Sequence, residues 1–143
     1  MIRKCLAALA VPAVLAGCAI HQRVEPVAKI ELKQICVVEN PRVRATFLAA
    51  YQRALEGKGF VVQVLPENAA LSACPLVSNY IARWQWDLAL YMAYAEFKVF
   101  HDGNQVGGAF YNAQSSGANP SKFINAEQKV KELVDRMFPE RGS

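Results

Sequence analysis

The chain has 143 residues, is 53% hydrophobic and 20% charged, and carries a formal charge of +4 at neutral pH. That length supports one domain with a true core and is too short for two. Its basic residues are scattered, with no run interleaved with aromatics, which excludes the electrostatic footprint of a nucleic-acid binder.

The first segment, MIRKCLAALAVPAVLAGC, places Arg3 and Lys4 before an apolar run from Leu6 to Leu15. A run of about ten residues falls short of the roughly twenty that a spanning helix needs, so residues 1–17 read as a secretory signal peptide. Leu15-Ala16-Gly17-Cys18 matches a bacterial lipobox, in which small residues precede a cysteine whose thiol takes a diacylglycerol. The alternative is an ordinary signal peptide, or a buried N-terminal helix, with a chance cysteine. Cleavage leaves Cys18 as the first mature residue, and two or more acyl chains on it hold a protein to a bilayer without any spanning segment. The next residue is Ala19 rather than Asp, which by resemblance to sorted lipoproteins favours the outer membrane, periplasmic face. Loss of Arg3 and Lys4 lowers the formal charge to about +2, so the basic balance partly reflects the signal.

Residues 18–33 mix charges with Pro26 and read as the lipidated cysteine and a tether, on which His21 is solvated rather than a metal ligand. Cys5 leaves with the signal and Cys18 carries lipid, so Cys36 and Cys74 remain as an even pair in an oxidising compartment. A Cys36–Cys74 disulfide is the expectation, and two buried free thiols the alternative. No CxxC motif supports a redox or metal site.

Residues 34–143 form the single domain. QICVVE is a short β-branched run stopped by Asn40-Pro41, and Arg42–Glu56 carries Phe47, Leu48, Tyr51 and Leu55 on one helical stripe that Gly57 and Gly59 can end. FVVQVL, stopped by Pro66, completes a βαβ unit with parallel strands and a right-handed crossover. In residues 80–100 the internal charges Arg83, Asp87, Glu96 and Lys98 exclude a membrane span. Period-2 alternation over Tyr80–Leu90 reappears in opposite phase over Ala95–Val99, which predicts two strands and a bulge or reversal within Asp87–Tyr91. His101-Asp102-Gly103-Asn104 is hairpin-turn chemistry, and Gln105–Ala113 is the return strand, with Gly107-Gly108 marking a close backbone approach, expected from a helix. Beyond Pro120, Phe123, Ala126, Val130, Leu133, Val134 and Met137 recur at helical spacing, with Asn125 and Gln128 placed for a capping box. The expected fold is α+β, a two-layer sandwich of a mixed sheet of four to five strands with two helices on one face, in the order β-α-β-β-β-β-α.

Catalytic signatures are missing from the sequence: it has no GxSxG, no HExxH and no phosphate-cradling glycine loop, and its two histidines stand alone. His101-Asp102 reads as a solvated turn, and Asp87 as a hydrogen-bonding partner of the chain reversal. No catalytic residue, metal or cofactor is expected. Trp86, Tyr91 and Tyr94 are the candidate binding surface, since aromatic faces stack on glycans and peptides; Trp84 and Trp86 are otherwise core residues of their strand.

The segments RWQWDLALYMAYAEFKVF, GNQVGGAFYNA and KFINAEQKVKELVDRMFP resemble the Sbal-type family of small proteobacterial lipoproteins, over Cys36 to about Pro139. The resemblance implies a lipoprotein and supplies no functional residues. The functional expectation is therefore a non-enzymatic, lipid-anchored accessory protein, joined to the membrane through Cys18 and to an envelope protein partner through its domain. A binding module for a small ligand such as a glycan or lipid is the second reading.

Overall fold

The computed structural model describes residues 19–141. Cys18 and the signal segment before it lie outside the described residues. Six strands, β1 (His21–Glu25), β2 (Gln34–Val38), β3 (Val61–Leu65), β4 (Leu76–Asp87), β5 (Ala89–His101) and β6 (Asn104–Asn112), form one sheet in the order β1-β6-β5-β4-β2-β3. Helix α1 (Ala45–Gly57) crosses from β2 to β3, and α2 (Ala126–Met137) follows β6 after a 3₁₀ turn at Pro120–Phe123. β2 is parallel to β3 and β4, whereas the other pairs are antiparallel. This is the expected α+β sandwich with a mixed sheet, one strand larger than expected. No helix among the described residues is long and apolar enough to cross a membrane.

The additional strand is β1, which lies inside the segment read as a tether. His21–Glu25 pairs residue for residue with Asn112–Gly108, and Val27 is buried, its amide donating to the Met137 carbonyl (2.8 Å). Only Gln22 and Val24 of this strand are even half-buried, so a charged edge strand leaves little periodicity to read. The same segment explains Gly107. A Cβ there would sit 2.6 Å from Val27 Cγ2 and 2.8 Å from the Glu25 carbonyl oxygen, and one at Gly108 would sit 2.5 Å from the Phe97 carbonyl oxygen. The close approach comes from the N-terminal strand and the neighbouring β5 backbone, not from a helix.

Between the sheet and its two helices, Phe47 and Tyr51 of α1 pack on Phe97 with ring centroids 5.6 and 4.5 Å apart, and Phe47 also meets Tyr80. Val130, Leu133, Val134 and Met137 of α2 are fully buried. The Tyr51 hydroxyl, sunk among these aromatics, is partnered: it lies 2.6 Å from Ser78 Oγ, which donates to the Lys98 carbonyl (3.0 Å). Burial drives the Tyr51 hydroxyl far above its usual range, more strongly than its bond to Ser78 lowers it, so it remains a neutral donor. Cys36 and Cys74 are joined by a disulfide that ties β2 to the loop before β4.

Helix α1 starts three residues later than its stripe suggests, because Asn40 closes a turn. Its side chain accepts from the Arg42 amide (3.1 Å) and its carbonyl from the Val43 amide (3.0 Å), which holds this stretch out of helix. At α2, Asn125 caps by accepting from the Gln128 amide (3.1 Å), and the 3₁₀ turn takes up the residues before it. The change of phase in residues 80–100 resolves into two devices. The chain reverses at Leu88 (φ 60°), and a bulge leaves Ala93 unpaired, since Arg83 faces Tyr94 while Trp84 faces Met92. Asp102 (φ 49°) and Gly103 (φ 81°) make the β5–β6 turn in the left-handed region, as a two-residue hairpin loop requires.

Candidate functional site

The β4–β5 hairpin projects beyond the helices that cover the rest of its ladder. At its tip Leu88 is 91% exposed, Trp86 74% and Leu90 46%, and Trp86 and Leu90 are direct cross-strand partners. Three large apolar side chains on one apex make an unusual surface for a domain whose other apolar positions are mostly buried.

The apex is held from below. Lys122, in the 3₁₀ turn, is buried and donates to the Asp87 carboxylate and the Gly117 carbonyl. Its ammonium also lies over the rings of Tyr91 (5.2 Å) and Phe123 (5.3 Å). Tyr91 is itself buried, packs edge-on to Phe123 and donates its hydroxyl to Gln85 Oε1 (2.9 Å). Asp87 thus partners the turn across from it and not the backbone of the reversal. Sequence reasoning did not single out Lys122. A lone lysine in a helix-like segment gives no signal, and its partner is 35 residues away.

The expected aromatic surface is therefore dispersed. Trp86 stands at the apex, Tyr91 is enclosed beneath the 3₁₀ turn, and Tyr94 lies on the face of the sheet away from the helices. There its ring sits under the Arg83 guanidinium (5.0 Å) and its hydroxyl donates to Glu96 Oε2 (2.9 Å). Burial, then the Glu96 hydrogen bond and charge, push the Tyr94 hydroxyl up against the opposing pull of Arg83. Trp84 is half-buried, edge-on to Phe47 with Arg44 over its ring (5.0 Å). Trp86, Tyr91 and Tyr94 do not converge on one groove. A concavity of about 410 Å³ contains none of the three; its lining includes the charged and amide groups of Glu39, Arg42, Glu67, Asn79, Glu96 and Lys98.

The remaining candidate residues are equally separate. His21 is exposed on the edge strand β1, and His101 meets only Asp102 (3.5 Å) at the exposed β5–β6 turn. Among the described residues no three His, Cys, Asp or Glu side chains gather to hold a metal ion. At the other border of the sheet, β3 is an edge strand with Val61 65% exposed.

No protein-family model matches the chain, and no curated protein does. Among solved structures it is similar to two of PelC from Paraburkholderia phytofirmans, both dodecamers. One of them, a leucine-to-methionine variant, matches with a TM-score of 0.60 at 13% identity over 87% of this chain and 98% of that one. The second matches with a TM-score of 0.56 at 15% identity over 84% and 98%. A minor lipoprotein from Acinetobacter baumannii gives a TM-score of 0.40 at 16% identity over 76% and 92%. At these identities the PelC likeness is one of fold.

Proposed function

We propose that this chain is a lipid-anchored accessory protein of the bacterial envelope, held at the periplasmic face of the outer membrane through Cys18, whose domain binds another envelope protein and carries out no catalysis. The observation that carries the reading is the open border of the sheet: β3 has a strand on one side only, and its exposed Val61 lies beside unpaired backbone donors and acceptors. Such an edge takes up an extended segment by strand addition, with main-chain hydrogen bonds supplying affinity and the side-chain row selectivity. The lipobox and the resemblance to the Sbal-type lipoproteins support the anchor and the location. Support for a protein partner also comes from the PelC neighbours, which are dodecamers, so this fold is compatible with assembly. A groove for a small ligand built from Trp86, Tyr91 and Tyr94 finds no support, because the three side chains sit in different surroundings.

Cross-linking in intact cells tests this reading, with the lipidated chain compared with a control that carries only residues 1–33. One envelope protein enriched over the control, and lost in Val61→Lys, is the expected result. Recovery of the same proteins from both, or capture unaffected by Val61→Lys, overturns it.

A further inference from the structure

We infer that the β4–β5 hairpin tip is a second membrane contact, with Trp86, Leu88 and Leu90 entering the interface of the bilayer that holds the lipid on Cys18; this rests on the lipid-anchor reading above. The argument is one of register. His21 pairs with Asn112, Asn112 with Tyr94, and Tyr94 with Arg83, so the first residue of β1 lies level with Arg83 across the sheet. β1 is antiparallel to β6 and therefore runs with β5, away from the tip. Followed backwards from His21, the chain heads toward the tip.

The lengths agree. From Arg83 the ladder continues through Trp84 to Asp87, a projection of about 13 Å at ~3.3 Å per residue. Cys18 is three residues before His21, a reach of at most about 10 Å. At full reach the lipid-bearing residue thus stops about 3 Å short of Asp87, so the apex enters the interface while Cys18 stays at its surface, the two separated laterally by the two to three strand spacings from β1 to the hairpin, roughly 10–15 Å.

The chemistry fits a lipid surface better than water or a polar partner. Trp86 offers an indole whose ring and N–H suit the headgroup boundary, and the two leucines beside it supply apolar area. Asp87, the carboxylate in the tip, is neutralised by Lys122, which removes the charge that would oppose insertion. Arg83, three residues before Trp86 on β4, and Arg44, over the Trp84 ring, are both exposed below the apolar apex, within the depth of a headgroup layer. A lipid on a flexible terminus holds a domain without orienting it. With the tip as a second contact the strands stand upright on the membrane, and the β5–β6 turn at Asp102-Gly103 points into the periplasm.

The test uses the mature chain purified with its lipid and reconstituted into vesicles of phosphatidylethanolamine and phosphatidylglycerol. Trp84→Phe leaves Trp86 as the only indole, and Trp86→Phe leaves Trp84. Lipids brominated high on the acyl chain should quench Trp86 about twofold and its emission should shift to the blue, while Trp84 changes little. Adding Leu88→Asp to Trp84→Phe should reverse both effects. A Trp86 that stays red-emitting and open to aqueous iodide on protein-bearing vesicles overturns the proposal. A blue-shifted Trp86 that bromolipids do not quench also overturns it, since a protein surface, such as a second copy, then covers the tip. If Trp84→Phe does not fold, Leu88→Cys carrying an environment-sensitive dye gives the same reading at the most exposed apex position. The mass of the N-terminal peptide reports lipidation separately: an unacylated chain refutes the lipid reading alone, and quenching of that chain mixed with the vesicles then decides for or against the tip.

Discussion

The β4–β5 ladder is one antiparallel pairing, broken by a single bulge at Ala93, whose two ends live in different environments. From Leu76–Ala82 against Ala95–His101 its inward residues are sealed by α1 and α2, with Phe97 only 1% exposed. From Trp86 to Leu90 the same kind of apolar side chain stands in water. Both halves carry large apolar side chains spaced two residues apart, so this spacing reports the pleat and not its cover. What separates them is how far the helices reach along the strands, a property of the assembled layers.

The comparison breaks if the covered half tolerates truncation. Phe97→Ala removes the ring on which Phe47 and Tyr51 pack and should cost about 3–5 kcal/mol in urea unfolding. Next in size is the covalent tie of the covered half. Cys36→Ser with Cys74→Ser opens a link across 38 residues and should cost roughly 3–4 kcal/mol in the chain-entropy view, read as a lowered midpoint that reducing agent does not lower further.

Lys122→Met probes the joint between the halves. The half-exposed Asp87 stays hydrated, so global stability should fall by only about 1 kcal/mol, while hydrogen exchange at the Leu90 and Tyr91 amides accelerates selectively. A uniform acceleration would mean that the tip is not a separately held unit.

A smaller effect is expected where α2 grips β1. Burial alone would raise Glu132, but hydrogen bonds from Lys129 and Gln22, with the charges of Lys129 and Arg136, outweigh it and hold the carboxyl below its usual range. A depressed folded-state value stabilises above the unfolded pKa and loses that contribution as pH falls through the folded one. Wild type should therefore exceed Glu132→Gln at neutral pH by no more than about 0.5 kcal/mol after solvent screening, with the gap closing in acid below about pH 4. A gap that widens in acid would contradict the assignment. Smallest of all, Trp86→Ser and Leu88→Ser should leave unfolding unchanged within about 0.5 kcal/mol, because both side chains stay mostly exposed in the folded chain. A loss like that at Phe97 would erase the distinction between the two ends.

Much of this fold was legible along the chain because it rests on local chemistry. The βαβ unit followed from two β-branched runs flanking a helical stripe, the β5–β6 hairpin from Asp102-Gly103, and the α2 cap from Asn125, each a short-range steric or hydrogen-bonding preference. Cysteine counting singled out Cys36 and Cys74, the pair that the structure joins. Tertiary structure alone decided the rest, since it depends on residues far apart in sequence. β1 is a strand only because β6 supplies its partner, and Gly107 is needed only because Val27 lies against it. Lys122 matters because the fold lowers it onto Asp87. Trp86, Tyr91 and Tyr94 look alike in a sequence, yet one meets solvent, one a lysine and one a carboxylate. Side-chain type sets what a residue can do, but burial and partners are pairwise facts that a linear pattern does not contain.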